Sequence, residues 1–530
     1  MLRRSCHWLL WLLLASLGVT PSSSRGGGVT IITHGLNGNV NGWVTGMANA
    51  IPAYRTFPGT NYTGYEFYFF LSNSVYYLTS TRVAGGAPST TDTGEIIVKF
   101  DWSQFADGNS YNTAQVAAIV LPALINTNFI PELGGHALAE MPLHLVGHSR
   151  GGSLMCELSR LLGTNGIWVD HLTTLDPHPL NNDGFTLDHF IYSAVDAPCH
   201  TYQNVLFHDN YSQNISHLVY GEPVAGAYIR NLTSLNGGYT DATTGKHSNV
   251  HLWYFGTISP ATPTSDTEAS ITSAERQSWW NTYEQQGTNA GFQYSLIGGS
   301  NRLSTDQPFG PGFPAIRDGF NQMWDLGAGT SANRTALTTN NGAWPSLIRL
   351  DRTDTNPVVQ GQSAMVNFYY QWTQPAASNA TISFYLDSDL NPLNTNQTLL
   401  SQIGAPGSGA NSVGFGSVAL TLNSSNASPG LHWLYATITG GGPTRWLYAP
   451  ERVLVVSPPQ PVMGIARAGA SQFNVAVNGT NGETVVLQSS PDLIHWQAIA
   501  TNALTTNAWI YTNTNPGGTN KLFFRTVISN

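Results

Sequence analysis

The chain has 530 residues, and 21 Lys and Arg against 30 Asp and Glu leave a net charge of −9. Only 10% of it is charged and only Lys99, Lys246 and Lys521 are lysine, so the clustered cations that replace counterions on a nucleic-acid backbone are missing, and nucleic acid is excluded as a partner. With 41% hydrophobic and 11% aromatic residues there is material for several cores, which excludes bulk disorder.

At the start, Arg3 and Arg4 precede an apolar run from Trp8 to Val19. The run is shorter than the roughly 20 residues of a membrane-spanning helix. A basic start, a short apolar stretch and the small residues Ser16 and Gly18 predict a secretory signal peptide cut near Gly18. Residues 1–24 are therefore read as signal and polar leader, and the mature chain as secreted or extracytoplasmic. Cys6 leaves with the leader. Cys156 and Cys199 then form either one disulfide or two buried thiols.

Residues 25–345 are expected to form an α/β catalytic domain. Val29–Thr33, 65–70, Ile96–Asp101, 143–146, 167–175 and 190–195 read as strands. Residues 113–125 and 153–162 carry apolar stripes at helical spacing, and strands alternating with helices predict a mostly parallel sheet covered on both faces. Residues 273–285 suit a helix. From 346 the pattern changes to short strands broken by Gly, Ser, Asn and Pro: 364–372, 381–386, 417–422, 431–438 and 453–456. This predicts a β-sandwich module over 346–457. The Pro-rich 457–461 reads as a stiff linker to a second all-β module, 458–530, with strands at 473–477, 484–487, 509–511 and 522–527.

Gly147-His148-Ser149-Arg150-Gly151 fits the pattern G-x-S-x-G between a predicted strand and a predicted helix. A sharp turn there needs small residues, supplied by Gly147, Gly151 and Gly152, and it lifts the Ser149 hydroxyl above the sheet. With Val98-Lys-Phe-Asp-Trp-Ser103 before it and Leu175-Asp176-Pro177 after it, the stretch 29–258 resembles the α/β-hydrolases of the pancreatic-lipase-like type. It departs from them at Arg150, where lipases often carry Leu or Met, and in lacking their many cysteines.

A serine hydroxyl needs a base, and the base a carboxylate that fixes its tautomer. In the chain order Ser, acid, His, Asp176 is the first candidate acid and Asp196, ending the predicted strand 190–195, is its alternate. The base is His247, expected in a loop just before a helix as the resemblance implies, with His251 one turn on as its alternate. His148, His178, His208 and His217 read as ordinary polar or packing residues. Backbone amides of Arg150 and of Gly35 or Leu36 are the expected oxyanion donors. No zinc-type spacing occurs, so no metal or other cofactor is expected. Asp387-Ser-Asp389-Leu-Asn391 hints at calcium, but Pro392 breaks the loop pattern and a polar turn fits better.

The resemblance implies an exported serine hydrolase cleaving carboxylic esters, lipase- or esterase-like, on a small-molecule or lipid ester. A peptidase or carbohydrate esterase on the same fold is the alternative, as is an inert binder whose β-modules contact a cell surface or polysaccharide.

Overall fold

The structure is a computed structural model that describes residues 28–53, 62–89, 95–184, 187–213, 221–232, 245–259, 263–266, 268–272, 291–292, 295, 335–337, 345–372, 379–389, 391–406, 413–440, 444–449, 452–469, 472–479, 481–514 and 522–529. The expected leader (1–24), the expected helix 273–285 and His217 lie outside these residues.

In the N-terminal part, β1 (Val29–Thr33) is followed by α1 (Trp43–Ala50), β2 (Thr63–Ser72), β3 (Val75–Ala84) and β4 (Ile96–Asp101). Then come α2 (Thr113–Ile125), β5 (Leu143–His148), α3 (Arg150–Thr164), β6 (Val169–Leu175), β7 (Val205–Ser212), β8 (Tyr228–Asn231) and α4 (Gly245–Ile258). The strands form an eight-stranded sheet in the order β3-β2-β4-β1-β5-β6-β7-β8. Every neighbouring pair runs parallel except the β2–β3 hairpin at the edge.

Central strands of a parallel sheet are buried on both faces and so read as continuous apolar runs. β1 (VTIIT) does so, and all its residues are buried. Its alternation sorts the helices. Ile31 belongs to a core with Val116 and Val120 of α2 and Leu154 and Leu158 of α3. Ile32 belongs to a core with Trp43 and Met47 of α1 and Val250 and Trp253 of α4. α2 starts at a capping box, in which Asn112 and Gln115 bond each other's backbone amides.

The expected strand at 190–195 does not form. Asp188–Phe190 is a single 3-10 turn followed by irregular chain. The sheet's next strand is β7, which carries a buried polar cluster instead of an apolar run. In it Asp209 accepts from His171 and Thr173, at 2.8 and 2.5 Å, and from Tyr211 at 2.9 Å.

Among the described residues beyond 344 the regular elements are all strands. The chain divides into two compact units, one joining the α/β part to 365–418 and 433–452, the other made of 354–364, 419–432 and the chain from 453 on. In the first unit, 366–372 pairs antiparallel with Pro345–Arg352, and Ala380–Asp387 pairs with Thr398–Ala405 and with 433–439. The strand Arg445–Tyr448 pairs with residues 435–438. Arg445 reaches the α/β sheet, donating to Asp170 of β6 at 2.7 Å and to the carbonyls of Ala139 and Met141 at 2.8 and 2.7 Å. The polar turn after Ala380–Asp387 is a ladder of Asx turns: Asp387 accepts from the Asp389 amide, Asp389 from that of Asn391, and Asn391 from that of Leu393. In the second unit, Val462–Arg467, Gln472–Asn478 and Ala508–Thr514 form one three-stranded sheet, and Gln497–Ala503, Thr484–Ser490 and Phe523–Ser529 another. Val475, Val477, Val485, Leu487 and Leu504 make their common core.

Candidate active site

The strand β5 ends at His148, and α3 begins at Arg150, so Ser149 alone makes the turn. Its φ of 56° and ψ of −127° place it in a region that non-glycine residues occupy only when the surroundings hold them there. The surroundings are close. A Cβ on Gly147 would lie 2.1 Å from the carbonyl oxygen of Gly151, and one on Gly151 would lie 2.4 Å from that of His34. The Asp101-Trp102 pair at the end of β4 fixes His34: the Trp102 amide and the His34 ring nitrogen Nε2 are 3.3 Å apart, and the two rings stack at 5.6 Å.

Asp176 directly follows β6, is fully buried, and has a φ of 45°. Its Oδ2 lies 2.6 Å from His247 Nδ1. Gln213, just past β7, donates its amide to Oδ1 at 2.8 Å and its side-chain nitrogen to Oδ2 at 2.9 Å. Sequence reasoning missed Gln213, since nothing in the chain marks a residue 37 positions downstream as a carboxylate holder. Burial pushes the Asp176 carboxyl up to about 7, against the pull of the Gln213 donors. Burial, with His178 and His251 nearby, pushes His247 down to about 3. The downward direction for His247 describes a resting imidazole without charge, as a general base requires.

His247 sits within the first turn of α4, not in the loop before it. The helix carries its ring over the sheet end, and the backbone carbonyl of His247 lies 3.0 Å from His148 Nε2. His247 Nε2 is buried without a hydrogen-bond partner among the described residues. Ser149 and His247 line one cavity of about 270 Å³, together with Gly35, Leu36, Leu180, Leu187, Ile191 and Tyr192. No hydrogen bond joins Ser149 to His247 among the described contacts; they share the cavity's wall.

The two alternates are engaged elsewhere. Asp196 is paired with the Arg150 guanidinium and accepts the amides of Thr113 and Leu180 at 2.9 and 3.1 Å. His251 stacks on Trp43 at 4.4 Å, with Asp266 and Glu268 as its nearest carboxylates. His178, expected to be ordinary, lines the cavity between Asp183, 2.6 Å from its Nδ1, and Asp188, 3.2 Å from its Nε2. Burial pulls its pKa down, but the two carboxylates outweigh that and hold it up at about 10. His208 is spent on Thr174 and Thr201, 3.0 and 2.7 Å away.

The residues expected to supply the oxyanion donors lie beside the serine. A Cβ on Gly35 would lie 2.7 Å from Ser149 Cβ, and Leu36 follows it into the cavity lining. The Arg150 amide is the first of the helix, where N–H groups have no intrahelical acceptor.

No family model matches the chain, and no curated protein matches it. Among solved structures, a CARDB domain from Pyrococcus furiosus in complex with di-metal ions overlaps 23% of this chain and 99% of its own, at 11% identity and a TM-score of 0.16. The Pseudomonas fluorescens alkylpurine DNA glycosylase AlkC, bound to DNA containing an abasic-site analog, overlaps 26% of this chain and 37% of its own, at 12% identity and a TM-score of 0.15. The chain thus spans little more than a third of that glycosylase's length, and neither overlap carries an argument about fold or activity.

Proposed function

We propose that this chain is an exported serine hydrolase of the α/β-hydrolase type that cleaves carboxylic esters. One observation carries the reading: the 2.6 Å contact of Asp176 with His247 Nδ1 leaves Nε2 unengaged in the cavity that Ser149 lines. Nδ1 holds the proton toward Asp176, so the lone pair belongs to Nε2, and the cavity is where a serine hydroxyl would need it. In free enzymes such a bond is commonly open and closes around substrate.

In this reading Ser149 Oγ attacks the ester carbonyl while His247 Nε2 takes its proton. The carbonyl oxygen turns toward the amides of Arg150 and of Gly35 or Leu36, the donors this reading assigns to the developing charge. His247 then protonates the departing alcohol, and Asp176 stabilises the imidazolium. Water, activated by the same imidazole, releases the acid from Ser149.

The cavity favours an acyl chain over a sugar or peptide. Leu180, Leu187, Ile191 and Tyr192 line it, and of these Leu187 and Ile191 are 44% and 55% exposed. Apolar side chains held in water beside a cavity offer a surface to an apolar substrate. Labelling with a fluorophosphonate probe tests the assignment: attachment at Ser149, lost in Ser149→Ala, supports it. Intact, folded protein that stays unlabelled overturns it in favour of an inert binder. An ester panel of graded chain length, with and without a lipid interface, then separates lipase from carbohydrate esterase.

A further inference from the structure

Behind the Asp176–His247 pair lies a second cluster that the hydrolase reading does not use. His148 comes from the end of β5, His251 from the second turn of α4, and Glu268 from the chain beyond that helix. One donor atom from each lies within 4.8 Å of the other two. His251 Nε2 and Glu268 Oε2 are 3.6 Å apart, and the rings of His148 and His251 meet edge to face at 4.7 Å. His148 is 2% exposed and His251 is 0% exposed. Among the described residues, His148 Nδ1 and His251 Nε2 nevertheless have no hydrogen-bond partner, while His251 Nδ1 faces Asp266 at 3.4 Å. Burying unsatisfied polar atoms costs about 1–3 kcal/mol each, so the two that belong to this cluster, His148 Nδ1 and the His251 Nε2 that faces Glu268, call for an occupant.

We infer that His148, His251 and Glu268 form a binding site for one divalent transition-metal ion of the zinc class. Two imidazoles and a carboxylate suit a borderline-soft cation that takes nitrogen and oxygen at about 2.0–2.2 Å; tetrahedral geometry then sets neighbouring ligands about 3.3–3.5 Å apart. The His251–Glu268 separation is already of that size, and side-chain adjustment closes the rest. Trp43 packs against both rings, stacked on His251 at 4.4 Å and edge-on to His148 at 5.8 Å, which limits how the imidazoles turn. His148 and Glu268 also line the cavity, so the fourth position is open to water. The ligands come from three separate pieces of chain, and this is why no compact spacing announces them. A bound ion would tie the Glu268 segment and α4 to the nucleophile turn, adding stability by mass action because the unfolded chain holds no such site.

The test uses the full chain, stripped with chelator and titrated with Zn²⁺ alone, following bound metal by elemental analysis and the melting temperature by calorimetry. We expect one ion per chain and a melting temperature that rises with Zn²⁺. Co²⁺ in its place should give the strong visible bands of a tetrahedral site. Glu268→Gln, at a half-buried position that tolerates change, should weaken binding at least about tenfold, the scale of losing even an outer partner of a metal site. His148→Ala and His251→Ala should do the same, and where either fails to fold Glu268→Gln still decides. Absence of saturable binding would overturn the site, as would Zn²⁺ bound equally well by Glu268→Gln. So would binding lost in Asp183→Asn, because the ion would then sit on the separate His178–Asp183–Asp188 group. Metal content and melting temperature do not depend on Ser149 being the nucleophile, so this inference and the hydrolase reading fail separately.

Discussion

Arg150 and Asp196 form a fully buried pair, with Nε to Oδ2 at 2.7 Å and Nη2 to Oδ1 at 2.9 Å. The residue after the proposed nucleophile is thus anchored by its side chain to the carboxylate that the sequence offered as the alternate acid. Arg150 also lies over the Trp102 ring at 5.0 Å. The pair holds the start of α3 against the loop before α2, so Asp196 works on the shape of the turn and not on His247.

This separates two acids by experiment. Asp196→Ala leaves a guanidinium buried without its charge partner and should cost about 3–5 kcal/mol of stability, seen as an early transition in chemical denaturation. Asp176→Asn should fold but lower kcat about 10⁴-fold by setting the wrong imidazole tautomer, measured on p-nitrophenyl esters. The reverse pattern would reassign the acid.

Ser149→Ala should lower kcat by about six orders of magnitude, with the melting temperature unchanged or raised. The strained φ of 56° is not relieved by alanine, so a large gain in stability is not expected. Parent-like ester hydrolysis by the purified variant would remove Ser149 from the mechanism.

Gln213 is a positioning residue that places Asp176. Gln213→Leu removes a side-chain donor while keeping the backbone bond, and should lower kcat about 10-fold or more, as lost supporting shells do, with KM little changed. Gln213→Glu should be worse, since it sets a second carboxylate against Asp176. Equal losses in kcat/KM for every substrate but a constant pH profile would mark the role as structural only.

Asp387 carries a pH signature away from the site. Burial pushes its carboxyl up to about 7, against the bond donated by Tyr448 at 2.5 Å. A carboxyl whose folded pKa is raised binds more protons in the native state than in the unfolded one, so stability falls as pH rises from about 4 to about 7. The loss is at most about 4 kcal/mol, at 1.36 kcal/mol per unit. Asp387→Asn should flatten this part of the curve in denaturation at pH 5 and pH 8; an unchanged slope would assign it to other groups.

Cys156 and Cys199 are both buried free thiols in the structure. Their mutual hydrogen bond, added to burial, holds Cys199 well above the ordinary thiol range and keeps it unreactive. Denatured protein should alkylate at both residues after purification under reducing conditions, and at neither after treatment with a disulfide-forming oxidant. Alkylation of both after oxidation would show that the thiols cannot bond.

The sequence was most readable where backbone demands override side-chain chemistry. Gly147, Gly151 and Gly152 mark the turn because no larger residue fits there, and the central strands announce themselves by unbroken apolar runs. Residues 190–195 misled for a physical reason: Phe190 and Ile191 look like strand residues, but their apolar surface is exposed, with Ile191 lining the cavity. β7 hid for the opposite reason, because Asp209 and its donors give a buried strand a polar sequence. That Asp176 meets His247 while Arg150 claims Asp196, and that His251 faces Asp266 and Glu268 one helical turn on, follows from packing and is not a property of spacing.

The reach of Arg445 has a practical consequence. A gene fragment ended at the change of composition near 346 would encode every residue of the proposed triad, yet Asp170 under the sheet would lose its counter-ion and the carbonyls of Ala139 and Met141 their donor. The shortest fragment worth expressing therefore runs beyond Tyr448, and activity missing from a shorter one would report on folding rather than on chemistry.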